Sequence, residues 1–417
     1  MKNALKQLFY CGLLCLMSFN NDPIKTTMSN ILATAKTDAK LAYNQQIPAY
    51  INGLNYKLPL IQKLEFKLGA DNFDLTGQQY GIAVSPNTFG QMKRQSAMKA
   101  VEINRSEAEN NVFVHEALLE RYQTLVDINY ANVLKQKEKV LETLLNQKNT
   151  TLKAMIQRGL DVRIKDIADT ENDRYSVQLA LLQLDINLAN SNEKLRQFIG
   201  SNNEVLVSFD NVIKVKDVEK IINLIKNNQD IQTPEILLAK TETEAKKAEL
   251  NIENAANKEV LSSFQIVDAP KKNDPFNNFG VRFTLNIPLF DNNRLKKNEL
   301  LIDVKKAENK ENLLLINNQK AIKYQLVNMG NLIKKYRIYA DKSENSLIKS
   351  LLDNAKLIAE MSATELLDLK LTQQKTEVEL AKIEYEIMHS YIEVLNNTNL
   401  LNKIPFKNYL SSGFEVF

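Results

Sequence analysis

The sequence predicts a mainly α-helical chain with a small β part, built as two copies of one unit: a short helix, two strands, then two long helices. Three observations carry this. Backbone breakers are scarce, with 11 Gly and 9 Pro in 417 residues, so helices can run long without interruption. One pattern recurs at a spacing of about 200 residues. Four short segments alternate apolar and polar residues, as strands with one wet face do.

The recurrence is visible residue by residue. Tyr80 to Arg94 reads YGIAVSPNTFGQMKR, and Phe279 to Arg294 reads FGVRFTLNIPLFDNNR. Gly81 and Gly280 stand 199 apart, and Arg94 and Arg294 stand 200 apart. The acidic pair Asp166 and Asp169 recurs as Glu365 and Asp368, again 199 residues on.

Among the strands, Val281 to Ile287 alternates strictly, and Leu64, Phe66 and Leu68 oppose Glu65 and Lys67. Tyr80, Ile82 and Val84 repeat the pattern more weakly, and Val260 to Val267 forms the fourth segment with imperfect alternation. Turn-rich stretches at Asp71 to Gln78 and Asp268 to Asn278 separate each pair. Alternation alone fits two half-buried hairpins of a soluble domain. A transmembrane barrel gives the same pattern, with lipid on one side and water on the other. Phe66, Phe73, Phe89, Phe276, Phe279 and Phe290 gather at the expected strand ends, where a barrel carries its aromatic girdle.

The helices follow from their stripes. After Pro86 nothing stops a helix until roughly Asn149, a rod of about 90 Å at ~1.5 Å per residue. Val126, Tyr130, Val133, Val140 and Leu144 mark one stripe, interrupted by Lys137. Val177, Leu181, Leu184, Leu188 and Leu195 form a coiled-coil seam, and Leu380, Ile383, Ile387, Tyr391 and Val394 form another. Narrow stripes on long polar helices require side-by-side packing, within the chain or between chains.

Composition excludes several functions. A net charge of +4 from 54 Lys+Arg and 50 Asp+Glu is not the concentrated basic field of a nucleic-acid binder. The two histidines, His115 and His389, lie inside helices and fit solvated or interfacial positions. His115-Glu116 has no second His four residues on, and no P-loop, dinucleotide fingerprint, CxxC pair or GxSxG elbow occurs. The acidic residues recur among lysines at helical spacing, as on a solvated face. Nothing supports catalysis, a cofactor or a metal. Beyond the first 20 residues no run of 18 apolar residues occurs, so membrane insertion would need a β-barrel or partner chains.

Residues 1–20 read as a signal peptide: Lys2 and Lys6 precede the apolar run Leu8 to Phe19. Both cysteines, Cys11 and Cys15, fall inside it, so the mature chain would be cysteine-free. Lipidation at Cys15 is the alternative, although Gly-Leu-Leu before it matches a lipobox poorly.

These residues resemble the TolC-like outer-membrane efflux family along nearly the whole chain after the leader. Ile287-Pro288-Leu289-Phe290-Asp291-Asn292-Asn293-Arg294 is similar to that family's strand-to-helix junction, and Ser85-Pro86-Asn87-Thr88-Phe89-Gly90 resembles it more loosely. Gly159-Leu160 leading to Asp166, one residue later than usual, resembles the family's helix tip. Leu195-Arg196-Gln197-Phe198-Ile199-Gly200 resembles the close of its unit. In the second half Ser362, Glu365, Leu366, Leu367 and Asp368 fit, while Ala359 stands where Gly is typical and Ala resists a positive φ.

The resemblance implies a homotrimer with a 12-strand barrel in the outer membrane of a Gram-negative bacterium and a helical cylinder in the periplasm. It implies a passive gated exit duct of a tripartite efflux or type I secretion system, with no enzymatic step and no cofactor. Its partners would be a periplasmic adaptor, an inner-membrane pump of RND or ABC type, and outer-membrane lipid. Glu365 and Asp368, with Asp166 and Asp169, are the implied periplasmic-entrance residues. Gly159, Leu160 and Ser362 are implied at the adaptor-facing tips, and Pro86, Pro288 and Phe290 at the strand-to-helix junctions. The expected division is a leader over 1–20, repeats over 21–200 and 235–400, an equatorial linker over 201–234 and an equatorial tail over 401–417. Two rivals fit parts of the pattern. A periplasmic coiled-coil adaptor or scaffold would add Gly-rich short-strand domains that are missing here. A filament-type coiled coil would not duplicate strand–Pro–helix junctions.

Overall fold

The computed structural model describes residues 23–70, 78–226, 232–256, 261–268, 279–285 and 294–417. The leader therefore lies outside the described residues, as do Phe73, Phe276, Pro288 and Phe290. Described elements, in order, begin with β1 (Ile24–Thr27), α1 (Met28–Ala33), a 3₁₀ turn (Thr34–Thr37), α2 (Ala39–Asn44) and α3 (Gln46–Gly53). Next come β2 (Ile61–Ala70), β3 (Gln78–Pro86), α4 (Phe89–Gln157), α5 (Ile164–Ile199), β4 (Val205–Ser208) and α6 (Val215–Lys226). The remainder is α7 (Pro234–Ala256), β5 (Leu261–Asp268), β6 (Phe279–Leu285), α8 (Arg294–Glu344), α9 (Leu347–Leu352), α10 (Ala355–Glu360) and α11 (Ala363–Asn397).

The described residues form two compact units that cut across the linear order: those within 1–38, 116–231 and 322–417 make one, and those within 39–115 and 232–321 the other. In the first, helical unit, sequence-distant segments are tied by backbone hydrogen bonds. β1 pairs in parallel with β4, from Ile24 opposite Val205 to Thr27 opposite Ser208. Ile213 N–H donates to Leu410 C=O, and Ser412 N–H donates to Asn211 C=O. Leu118, Tyr122, Leu125, Leu195, Ile383, Ile387 and Tyr391 are essentially without solvent contact. Arg121 is also buried, yet well satisfied. It donates to Thr34 Oγ1 at 2.8 Å, Asp38 Oδ2 at 3.0 Å and Ala117 C=O at 2.9 Å, and lies 4.4 Å from the Phe198 ring centre. A charge withdrawn from water needs this degree of pairing.

In the second, strand-bearing unit, β2, β3, β5 and β6 form an antiparallel sheet in the order β2-β3-β5-β6. Its helices are joined by polar contacts: Arg94 to Asn251 C=O, Lys99 to Asn52 C=O, and Lys310 to Glu242. Pro234 opens α7 at the first helical position, where a missing N–H costs nothing. At 23 residues α7 is longer than the short helix expected there.

Three helix expectations need correction. α4 does not stop near Asn149 but continues to Gln157, because nothing breaks it before Gly159. Its buried seam is Leu134, Glu138, Leu141, Leu145, Asn149 and Leu152, with Val140 about half exposed. The expected stripe is therefore out of phase over its last two turns, because two seam positions hold polar residues that hydrophobicity counting discards. In the second half, the expected pair of long helices is interrupted by α9 and α10. Ser346 caps α9, Asn354 Oδ1 accepts from Lys356 N–H, and Ser362 caps α11, so three short polar side chains restart the helix three times. The seam Val177 to Leu195 and the stripe Ile383, Ile387, Tyr391 and Val394 are the inward positions of their helices.

Candidate functional site

The sheet presents one apolar face whose rows follow from the register. Phe66, Ile82, Ile266 and Val281 form one row, and Leu64, Val84, Phe264 and Phe283 form the next. Leu68 and Tyr80 extend it, and the same row carries one charged residue, Asp268. This face is open: Phe66 is 77% exposed, Leu68 79% and Phe283 65%. Phe66 stands mid-strand rather than at a strand end, so it belongs to the apolar band and not to a girdle. The rings of Phe264 and Phe283 pack across the strands at 5.3 Å. A contiguous uncovered apolar face is costly in water and suits lipid.

The opposite face carries Lys63, Glu65, Lys67, Gln265, Arg282 and Thr284. A Cβ at Gly81 would lie 2.7 Å from Gln265 Nε2, which would have to swing aside, and 3.3 Å from Ile266 C=O, a tight backbone approach. Among the described residues no helix is long and apolar enough to cross a membrane.

At the first strand-to-helix junction, Pro86 ends β3 opposite Ile61. Asn87, quoted in the junction motif but given no role from sequence, does the joining: its N–H donates to Leu60 C=O at 2.9 Å and its Nδ2 to Pro59 C=O at 2.6 Å. Thr88 then caps α4, its Oγ1 accepting from Gln91 N–H. The S/T/N-rich run after the strand was the available signal. Pro288 and Phe290, the matching residues in the second half, lie outside the described residues.

The helix tips are built differently in the two halves. Gly159 adopts φ +70° and closes α4, with Leu160 N–H donating back to Met155 C=O. This left-handed turn favours glycine. Ile156, Leu160 and Ile164 are exposed around it. Asp166 sits in the first turn of α5, favourable to the helix dipole, and accepts from Arg163 Nε at 2.9 Å. Asp169 is exposed one turn on.

In the second half Ala359 falls inside α10, and the turn passes to Met361 and Ser362, so no residue there needs the left-handed conformation. Ser362 Oγ accepts from Glu365 N–H, and the Glu365 carboxylate accepts from Ser362 N–H at 2.8 Å, a capping box. The hydrogen bonds from the Ser362 hydroxyl and then its N–H hold the Glu365 carboxyl below its usual range. Asp368 accepts from Lys148 on α4. Three of the four acidic candidates thus have local partners within the chain.

Sequence reasoning also missed a partly buried polar cluster on α11. Tyr385 Oη donates to Asp127 Oδ1 at 2.9 Å, and His389 Nε2 lies 2.8 Å from the same oxygen. Burial, with the Asp127 charge, pushes the Tyr385 phenol up. Glu138, almost fully buried, faces Lys382 at 3.9 Å, and burial raises its carboxyl. His115 is 2% exposed, so of the two positions expected for it, solvated or interfacial, it is not the solvated one. A groove of about 310 Å³ between α4, α5 and α11 is lined by Glu138, Asp173, Lys375, Glu379 and Lys382. Among the described residues no group of three His, Cys, Asp or Glu is placed to hold a metal ion.

No protein-family model matches the sequence, and no curated protein matches it. Solved structures do. They include CusC, from a study of folding and transmembrane channel formation, at 13% identity over 89% of this chain and 92% of that one, with a TM-score of 0.62. The CmeC outer-membrane channel of Campylobacter jejuni matches at 14% over 89% and 85%, TM-score 0.60. The outer-membrane protein VceC of Vibrio cholerae matches at 11% over 89% and 95%, TM-score 0.58. At these identities the likeness is one of fold, and it spans nearly the whole of each chain.

Proposed function

We propose that this chain, which has the fold of the TolC-like outer-membrane channels, works as one protomer of such a channel and performs no catalytic step. The observation that carries the reading is the four-stranded sheet with one open apolar face and one polar face. A soluble hairpin domain would cover that apolar face, and a lipid-facing barrel wall would not.

The sheet's outer strands, β2 and β6, have no partner strand beyond them among the described residues. Exposed edges of this kind invite pairing with further copies. Three copies of four antiparallel strands would close a 12-strand barrel. On α5, Tyr175, Leu179, Leu182 and Ile186 repeat at heptad steps and are 65%, 68%, 58% and 46% exposed. That second seam, beside the inward one, supports helix packing between copies.

The unit would sit in the outer membrane of a Gram-negative bacterium, with its helices in the periplasm. The division into repeats over 21–200 and 235–400, a 201–234 linker and a 401–417 tail is retained as part of this reading. A periplasmic adaptor and an RND- or ABC-type pump would supply substrate and energy, in efflux or type I secretion. Gly159, Leu160 and Ser362 would form the adaptor-facing tips. Asp166, Asp169, Glu365 and Asp368 would line the entrance, and three copies of each would favour cations there.

The test is the state of the full-length protein in cells. Heat-modifiable trimers in the outer-membrane fraction are expected. A soluble periplasmic monomer would favour the adaptor or scaffold alternative and reject the channel.

A further inference from the structure

The polar face of the β2-β3-β5-β6 sheet is unevenly charged. Its residues fall into rows: Lys63 beside Ser85, with Ser263 beside Thr284; Glu65, Ala83, Gln265 and Arg282; and Lys67, Gly81, Val267 and Gly280. The inner strands β3 and β5 contribute small or neutral residues, while the outer strands carry every charge on the described part of this face. Those charges are three cations, Lys63, Lys67 and Arg282, against one anion, Glu65.

Glu65 does not balance them. It is shared between Lys63, with which it forms a close ion pair, and Lys67 at 3.9 Å. Arg282 enters no ion pair among the described residues and is exposed. Lys63 and Lys67 side chains remain 65% and 49% exposed. The described polar face therefore holds a surplus of two positive charges per chain.

We propose that this face is a positively charged band lining the outer conduit, and that the solutes it favours are anionic. The proposal rests on the sheet being a barrel wall with its polar face inward. Three copies would set about six surplus positive charges around one lumen, where apolar walls focus the field. Its effect should be strongest at low salt, where screening is weak.

The experiment uses the full chain in planar bilayers under a KCl gradient, comparing wild type with Lys67→Gln, Arg282→Gln, the double variant and Lys67→Glu. The anion-to-cation permeability ratio is expected to fall by roughly two-fold or more in the double variant, and further in Lys67→Glu. An unchanged ratio in variants of normal conductance overturns the proposal. A second measurement tests the wall itself. In chains with Cys11 and Cys15 replaced by Ser, a membrane-impermeant maleimide should label Lys67→Cys and spare Phe66→Cys in proteoliposomes. If that contrast holds and the ratio does not move, the charged band alone falls. If both positions label alike, the wall reading falls and the band with it.

Discussion

Lys148 on α4 donates a 2.6 Å hydrogen bond to Asp368 on α11, and the lysine is the more buried partner, 15% exposed against 56% for the aspartate. The same two helices, with α5, bury Leu141, Leu145, Val177, Leu371 and Val378. A carboxylate proposed for the entrance is therefore also a tie between helices. Two roles give two signatures. If the tie matters most, Lys148→Met and Asp368→Asn will change channel conductance alike and without additivity. If an acidic ring matters most, Asp368→Asn alone will lower cation preference. Either way the stability coupling in a double-mutant cycle should be small, about 0.2–1 kcal/mol, since the pair is partly solvated.

Ser362→Ala removes the acceptor for Glu365 N–H and should weaken the start of α11. Hydrogen exchange at the amides of residues 363–366 should speed up several-fold, with residues further along α11 unaffected. The pH dependence has a definite sign. The folded-state carboxyl of Glu365 lies below its ordinary value of 4.5, so its contribution is full at neutral pH and lost as pH falls through the folded value. In the wild-type chain, protection of these amides relative to their intrinsic exchange rate is expected to fall only in acid.

Glu138 predicts the opposite sign. Burial raises its carboxyl above 4.5, so the charged form costs stability once the pH exceeds the ordinary value, and the full cost is reached above the raised one. Glu138→Leu should stabilise the helical unit at neutral pH by about 1 kcal/mol. The gain should shrink toward zero below about pH 4. Thermal unfolding at both pH values checks this.

Gly159 is held at φ +70° with nothing within 4 Å of a would-be Cβ. Gly159→Ala should therefore cost about 1 kcal/mol through backbone strain alone, without a steric clash. Gly81→Ala is the contrast, because there the cost is contact, and Gln265→Ser should relieve the part due to the Gln265 side chain but not the 3.3 Å approach to Ile266 C=O.

Leu68→Arg places a charge on the open apolar face. Near the middle of a bilayer it should cost about 2–4 kcal/mol, less toward an interface. Folding into lipid vesicles, read by gel mobility before and after heating, should fall accordingly. The same change at Lys67, on the other face, should have little effect on folding.

Much of this was legible in the sequence because period-2 and heptad patterns depend on local order alone. Leu64, Phe66 and Leu68 announced a strand face, and Ile383, Ile387, Tyr391 and Val394 a helix face. Gly159 marked its turn because few other residues accept that conformation. What escaped was set by partners distant in sequence. Glu138 and Asn149 occupy seam positions that a hydrophobic count discards. Asn87 matters only because residues 59–60 come to lie beside it, and Asp127 only because Tyr385 and His389 approach from another helix. Ala359 pointed to a tip that the chain instead builds one turn later with Ser362.

The C-terminal residues have a further consequence. Lys36 Nζ donates to Phe417 C=O at 2.8 Å and lies over the rings of Phe406 and Phe417, while Ser29 donates to Glu415. Residues 23–38 meet residues 406–417 across almost the full length of the polypeptide. The helical unit thus cannot close until residues 406–417 have been made and have come back onto residues 23–38, so its first elements wait for partners 381 and 386 residues later in the sequence.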